Sequence, residues 1–69
     1  MKVDKKALRA ELVLHGLTQE KIAKALGINR DTFRRRMDTN TFHLADVYKM
    51  VDFLSLQEDE ILKIFFAKD

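Results

Sequence analysis

Between residues 30 and 36 the chain reads Arg-Asp-Thr-Phe-Arg-Arg-Arg, four arginines in seven positions. A guanidinium is a planar fork of donors. It meets a phosphate, or the O6/N7 edge of a guanine, with two parallel hydrogen bonds. Asp31 offers the complementary acceptor, suited to a cytosine amino group, and Thr32 carries both a hydroxyl and a methyl for a base edge. Upstream, Gln19 falls where a helix would begin. There a side-chain amide and unpaired backbone N–H groups together suit a phosphate.

Other chemistries lack their residues. The chain has no cysteine and only two histidines, His15 and His43, which read as ordinary surface or cap residues. No nucleophile stands beside a base and no glycine-rich loop is present. We therefore expect no catalytic residue, no metal, no cofactor and no small-molecule substrate, hence not an enzyme. A ligand pocket of about 300 Å³ or more would consume much of the core that 69 residues can build. No apolar run approaches the roughly 20 residues of a membrane span. The N-terminal lysines are followed by no apolar stretch, so a signal peptide is not expected and a cytoplasmic protein is. Charge is unevenly placed. Residues 1–40 hold ten Lys/Arg against five Asp/Glu, whereas residues 41–69 hold three against six. One half is suited to face a polyanion, although such a run also serves simply to solvate a face.

The elements that position these residues are helical. With no proline and two glycines in 69 residues, the chain favours helices with short connections. A chain of this size buries only about 60% of its unfolded surface, so one domain spanning 1–69 must draw its stability from apolar faces. The first helix is expected from about Lys5 to His15, with Asp4 as N-cap, Leu8, Leu12 and His15 on one face, and Gly16 closing it. The second opens at Thr18, turns Ile22, Ala23 and Leu26 inward, and ends at Gly27. The third begins at Asn29, with Asp31 near its positive end and Phe33 and Met37 buried. After the polar loop Asp38-Thr39-Asn40-Thr41, the fourth runs from about Leu44 to Leu54, burying Leu44, Val47, Val51 and Leu54. The fifth runs from about Glu58 to Phe66, capped either from Ser55 or by Gln57 with Glu60 three residues on.

Residues 18–37, TQEKIAKALGINRDTFRRRM, then form a unit. A tight turn at Gly27 joins two short helices. Ala23 is small enough to let the second helix cross closely, and Ile22, Leu26, Ile28 and Phe33 wedge the pair apart. One side of the second helix is left projecting, with a width that fits the DNA major groove. Its first residues would lie deepest, which makes Arg30, Asp31, Thr32, Arg34 and Arg35 the candidates for reading base edges. Gln19, Asn29, Arg36 and Asn40 are the candidates for phosphate contact. For Asp31 and Thr32 a purely helix-stabilising role stays equally open.

This segment resembles the helix-turn-helix of the lambda-repressor/Cro-like family, also called the xenobiotic-response-element family. The matching residues are Leu17-Thr18-Gln19-Glu20, Ile22-Ala23, Leu26-Gly27-Ile28 and Phe33. Beyond the motif, Phe42-His43-Leu44 with Val47, Met50 and Leu54 resembles the fourth helix of that family, and Ile61-Leu62 through Phe65-Phe66 its fifth. The resemblance implies an all-α bundle of five short helices. It also implies binding to a double-stranded DNA operator, commonly as a homodimer, by a repressor or Cro-like regulator of a phage or mobile element in a bacterial cell. Three positions depart from the family pattern. Arg36 stands where an apolar residue is common, so Met37 is expected to take over burial and Arg36 to reach outward. Asp38-Thr39 replaces a frequent Asn-Gly. His43 replaces a frequent threonine cap.

The fifth helix is apolar around much of its circumference. Either it plugs one end of the core, or Ile64 with Phe65 or Phe66 forms a twofold dimer contact. A second functional class uses the same fold: a protein-binding adaptor or antirepressor, docking through that apolar helix.

Overall fold

The computed structural model describes residues 2–67 and is all-helical: α1 Lys5–Leu14, α2 Gln19–Leu26, α3 Arg30–Thr39, α4 Leu44–Leu54 and α5 Glu58–Phe65. Each start follows from a cap. Asp4 accepts from the Ala7 N–H at 3.0 Å, Thr18 from Lys21 at 3.1 Å and Asn29 from Thr32 at 2.8 Å. At α5 the cap is Gln57, whose N–H donates to the Glu60 carboxylate at 2.8 Å. Ser55 instead ends α4 in the left-handed conformation. No helix of the described residues is long and apolar enough to cross a membrane.

One core joins all five helices. Leu8 and Leu12 come from α1, Ile22, Ala23 and Leu26 from α2, Phe33 and Met37 from α3, Val47, Met50 and Leu54 from α4, and Ile64 and Phe65 from α5, with Val3 and Phe42 added from the connections. Phe33 is fully buried and its ring lies 5.4 Å from that of Phe42, tilted by 56°.

Two expectations are corrected, at Leu44 and at Ile64 with Phe65. Leu44 is 56% exposed, and Met50 takes its place inside. The inward face of α4 is thus turned by about 50° at the helical step of 100° per residue. His15 is a surface residue, as expected. It is exposed beyond the helix end, 3.5 Å from the Glu11 carboxylate. Ile64 and Phe65 are 2% and 0% exposed. Both are spent on the core, so neither offers a side chain for a twofold contact. Of the three candidates there, only Phe66 remains on the surface.

The N-terminal segment is stitched to two helix ends. The Asp4 N–H donates to the Ile64 carbonyl at 2.7 Å, and the Ala67 N–H to the Lys2 carbonyl at 3.2 Å. Asn40, in the left-handed conformation after α3, accepts from the Val3 N–H at 3.0 Å and donates to its carbonyl at 3.1 Å.

Where α1 meets α5, the Glu11 and Glu60 carboxyls share one recess. Burial first, and then the Glu60 carboxylate, push Glu11 above the usual glutamate range, while His15 pulls the other way. Asp59 and Lys63 line the same recess. A carboxyl whose proton is held more tightly in the folded state adds stability at low pH. That stability is lost as pH rises from the ordinary glutamate range through the raised value. Glu11→Gln should therefore raise the melting temperature at pH 7 and flatten its dependence between pH 4 and 7. Thermal melts across that range check this; a lower melting temperature at pH 7 would show that the His15 pairing dominates.

Candidate nucleic-acid interface

The turn between α2 and α3 takes three residues. Gly27 adopts φ +76°, a left-handed backbone that costs a residue with a Cβ roughly 1–2 kcal/mol. Nothing lies within 4 Å of where a Cβ would stand, so the requirement is conformational rather than steric. The Ile28 N–H then returns to the Ala23 carbonyl at 3.0 Å, and Asn29 opens α3. Ala23 is buried to 1% at the middle of α2, so the neighbouring helices approach without a bulky side chain between them.

Two polar ties fix this pair to α4. The Lys49 ammonium donates to the Leu26 carbonyl at the C-terminus of α2, 3.3 Å away. The Arg36 guanidinium (Nη1) donates to Asp46 Oδ2 at 2.8 Å. Asp46 is 4% exposed and also accepts from the His43 N–H at 3.0 Å, so it anchors α3 and caps α4 at once. Sequence reasoning missed Asp46. Its one local signal is the spacing His43-x-x-Asp46, a capping box with histidine in place of serine or threonine. It also missed Lys5, whose ammonium donates to the Asp38 carbonyl at 2.9 Å and so adds positive charge at the C-terminal end of α3.

With Phe33 and Met37 inside, the remaining positions of α3 sort by angle. Arg30, Arg34, Asp38, Asp31 and Arg35 span an arc of about 140° at 100° per residue, and all five are exposed. Thr32 is half-buried on the flank. None of Arg30, Arg34 and Arg35 makes an ion pair with another described residue, so their donors face solvent. Gln19, half-buried at the start of α2, lines a shallow recess with Thr18, Glu20, Arg30 and Arg34. The structure thus brings together the base-reading candidates Arg30, Asp31, Arg34 and Arg35, and sets Gln19 beside two of them.

It does not add the other phosphate candidates on equal terms. The Arg36 side chain is only 17% exposed and turns inward to Asp46 rather than outward, because a buried carboxylate draws the nearest cation. Asn40 has both ends of its amide engaged by Val3. Asn29 is exposed, but its carbonyl oxygen serves the Thr32 N–H, leaving only its NH₂ for a ligand. No three His, Cys, Asp or Glu side chains among the described residues are grouped to hold a metal ion.

Over its described residues the chain folds as a small all-α bundle of five helices. Comparison with protein-family models, curated proteins and solved structures gives no match, so the meaning of its exposed face rests on the chemistry of the residues themselves.

Proposed function

We propose that the protein is a sequence-specific, double-stranded DNA-binding regulator of transcription, a repressor or Cro-like protein, with α3 entering the major groove. The observation that carries this is the division of the four arginines of α3. One, Arg36, is tied down by Asp46, while the other three stand unpaired and exposed along one face. A solvated surface has no requirement for three unpaired guanidinium groups in one arc. A major groove flanked by phosphates uses them directly. The resemblance of residues 18–37 to the lambda-repressor/Cro-like helix-turn-helix points the same way. Gln19 and the first N–H groups of α2 supply a phosphate contact beside that groove. The longest extent of the molecule is 27 Å, and half-sites one DNA turn apart are centred about 34 Å from each other, so reading two of them takes two copies. Such a regulator acts in the cytoplasm or on the nucleoid of a bacterial cell.

The competing reading, a protein-binding adaptor, is favoured by the exposed Leu62 and Phe66 on one face of α5 and at its end, 55% and 54% accessible. It gives no role to Arg30, Arg34 and Arg35. Arg35→Ala separates the two. On the DNA-binding reading it lowers operator affinity by about 5- to 150-fold, the worth of one bidentate base contact, and lowers random-DNA affinity far less. Competition binding on both duplexes measures this. An equal loss on both would leave Arg35 a phosphate contact.

A further inference from the structure

We infer that α3 reads G·C pairs, with Asp31 and Arg35 acting together as the specificity pair; this rests on the DNA-binding reading above. The exposed residues of α3 are Arg30, Arg34, Asp38, Asp31 and Arg35, followed at the edge by Thr39, whose hydroxyl donates to the Arg35 carbonyl at 2.7 Å. In the major groove guanine presents two acceptors, matched by arginine, and cytosine presents an amino donor, matched by a carboxylate. Adenine needs a donor and an acceptor from one amide, and the thymine methyl needs an apolar surface. No amide stands on this arc, and the nearest methyls are those of Thr39 at its edge and of half-buried Thr32 on the flank. Asn29 has already committed its acceptor to Thr32, Asn40 is closed on Val3, and Gln19 lies on α2. The large exposed apolar side chains, among them Leu44, Tyr48, Leu62 and Phe66, all lie off α3.

Arg30 and Arg34 line the recess shared with Thr18 and Gln19, on the side of the α2 N-terminus where a phosphate would sit. Asp31 lines a neighbouring recess with Glu20, Lys24, Asn29 and Arg30, and Arg35 follows it one turn on, four residues away. Residues at that spacing have Cβ atoms about 5–6 Å apart, close enough to serve one base pair or two successive ones. A carboxylate near a DNA backbone is repelled unless a donor meets it. The cytosine amino group is such a donor on a base edge, and an adjacent arginine contacting guanine partly offsets the remaining charge. The pair Asp31–Arg35 therefore selects cytosine and guanine together.

The test selects sites for the full chain from a random duplex library, then replaces each guanine of the selected site by 7-deazaguanine or by inosine. The first removes the N7 acceptor of the major groove. The second removes only the minor-groove amino group. We expect a G·C pair in each half-site at which 7-deazaguanine lowers affinity by about 5- to 150-fold and inosine changes it by less than about twofold. Asp31→Ala should weaken binding to that site while strengthening binding to random DNA, since it removes a negative charge beside the phosphates. A half-site built on A·T pairs, or guanines sensitive to inosine and not to 7-deazaguanine, would overturn the inference and leave DNA binding standing. Absence of binding to any duplex would instead overturn the function from which it starts.

Discussion

Phe33→Ala should lower the melting temperature by at least about 12 °C. Removing a buried phenylalanine costs about 3–5 kcal/mol, and each kcal/mol shifts the midpoint of a domain this size by about 4–8 °C. The whole stability expected for 69 residues is only about 3–10 kcal/mol, so much of the population would be unfolded at 37 °C. Phe33 merits this expectation because it is fully buried, meets Phe42, and lies on the helix that carries the arginines. Phe33→Leu keeps most of the apolar volume and should cost about half as much or less. Far-UV circular dichroism melts of both variants measure the difference. A shift under about 3 °C for the alanine variant would mean that α3 does not rest on this core.

The second large effect is expected at Asp46. Its removal leaves the Arg36 guanidinium largely enclosed without its anion, and the His43 N–H without its cap. Breaking a buried pair from one side costs about 3–5 kcal/mol. Arg36 keeps some access to water, so about 3 kcal/mol is expected for Asp46→Ala. Arg36→Met is milder, because an unbranched apolar chain fills the same space and Asp46 keeps its hydrogen bond to His43. The double variant should then be less destabilised than the two single costs added, by about 1–3 kcal/mol. Urea unfolding of the four proteins in the cycle gives this coupling directly. Costs that add to within about 0.5 kcal/mol would mean that the pair does not tie α3 to α4. The coupling also bears on function, since this tie sets how α3 is presented.

What the sequence discloses is what is local. Asp4, Thr18 and Asn29 are caps by residue type and position, and Gly27 is the obvious left-handed residue between two apolar stripes. From these the number and order of the helices follow, together with the outward placement of Arg30, Asp31, Arg34 and Arg35. The inner face of α4 was less legible. Leu44, Val47, Tyr48, Met50, Val51, Phe53 and Leu54 surround that helix with apolar side chains, so more than one register satisfies the periodicity. Packing chose Met50 over Leu44. The polar ties were less legible still. Arg36 meets Asp46 ten residues away, Lys5 reaches Asp38 across 33, and Asn40 holds Val3 across 37. No propensity or spacing rule records a partner that only the folded chain brings near. The same holds for Ile64 and Phe65. An all-round apolar helix is equally a plug or an interface on paper, and the position of α1 and the N-terminal segment over α5 makes those two residues core.

Corrections of this kind sharpen the candidate site. Removing Arg36 and Asn40 from the free donors leaves Gln19, Arg30, Arg34 and Arg35 as the cationic and amide groups best placed on one surface, with Asp31 among them. Arg36 and Asn40 instead hold that surface in place, one against α4 and the other against the N-terminal segment.

The most direct measurement of the central claim is a titration of the purified protein against fluorescently labelled random-sequence duplex DNA, followed by anisotropy at several salt concentrations. Three exposed arginines and the amide-rich start of α2 predict binding in the range of about 10⁻⁴–10⁻⁶ M, with the logarithm of affinity falling linearly with the logarithm of salt by about 0.9 for each phosphate engaged. No binding at low salt with protein at about 100 μM, the weak end of that range, would contradict a DNA-binding function and turn attention to Leu62 and Phe66 as a surface for another protein.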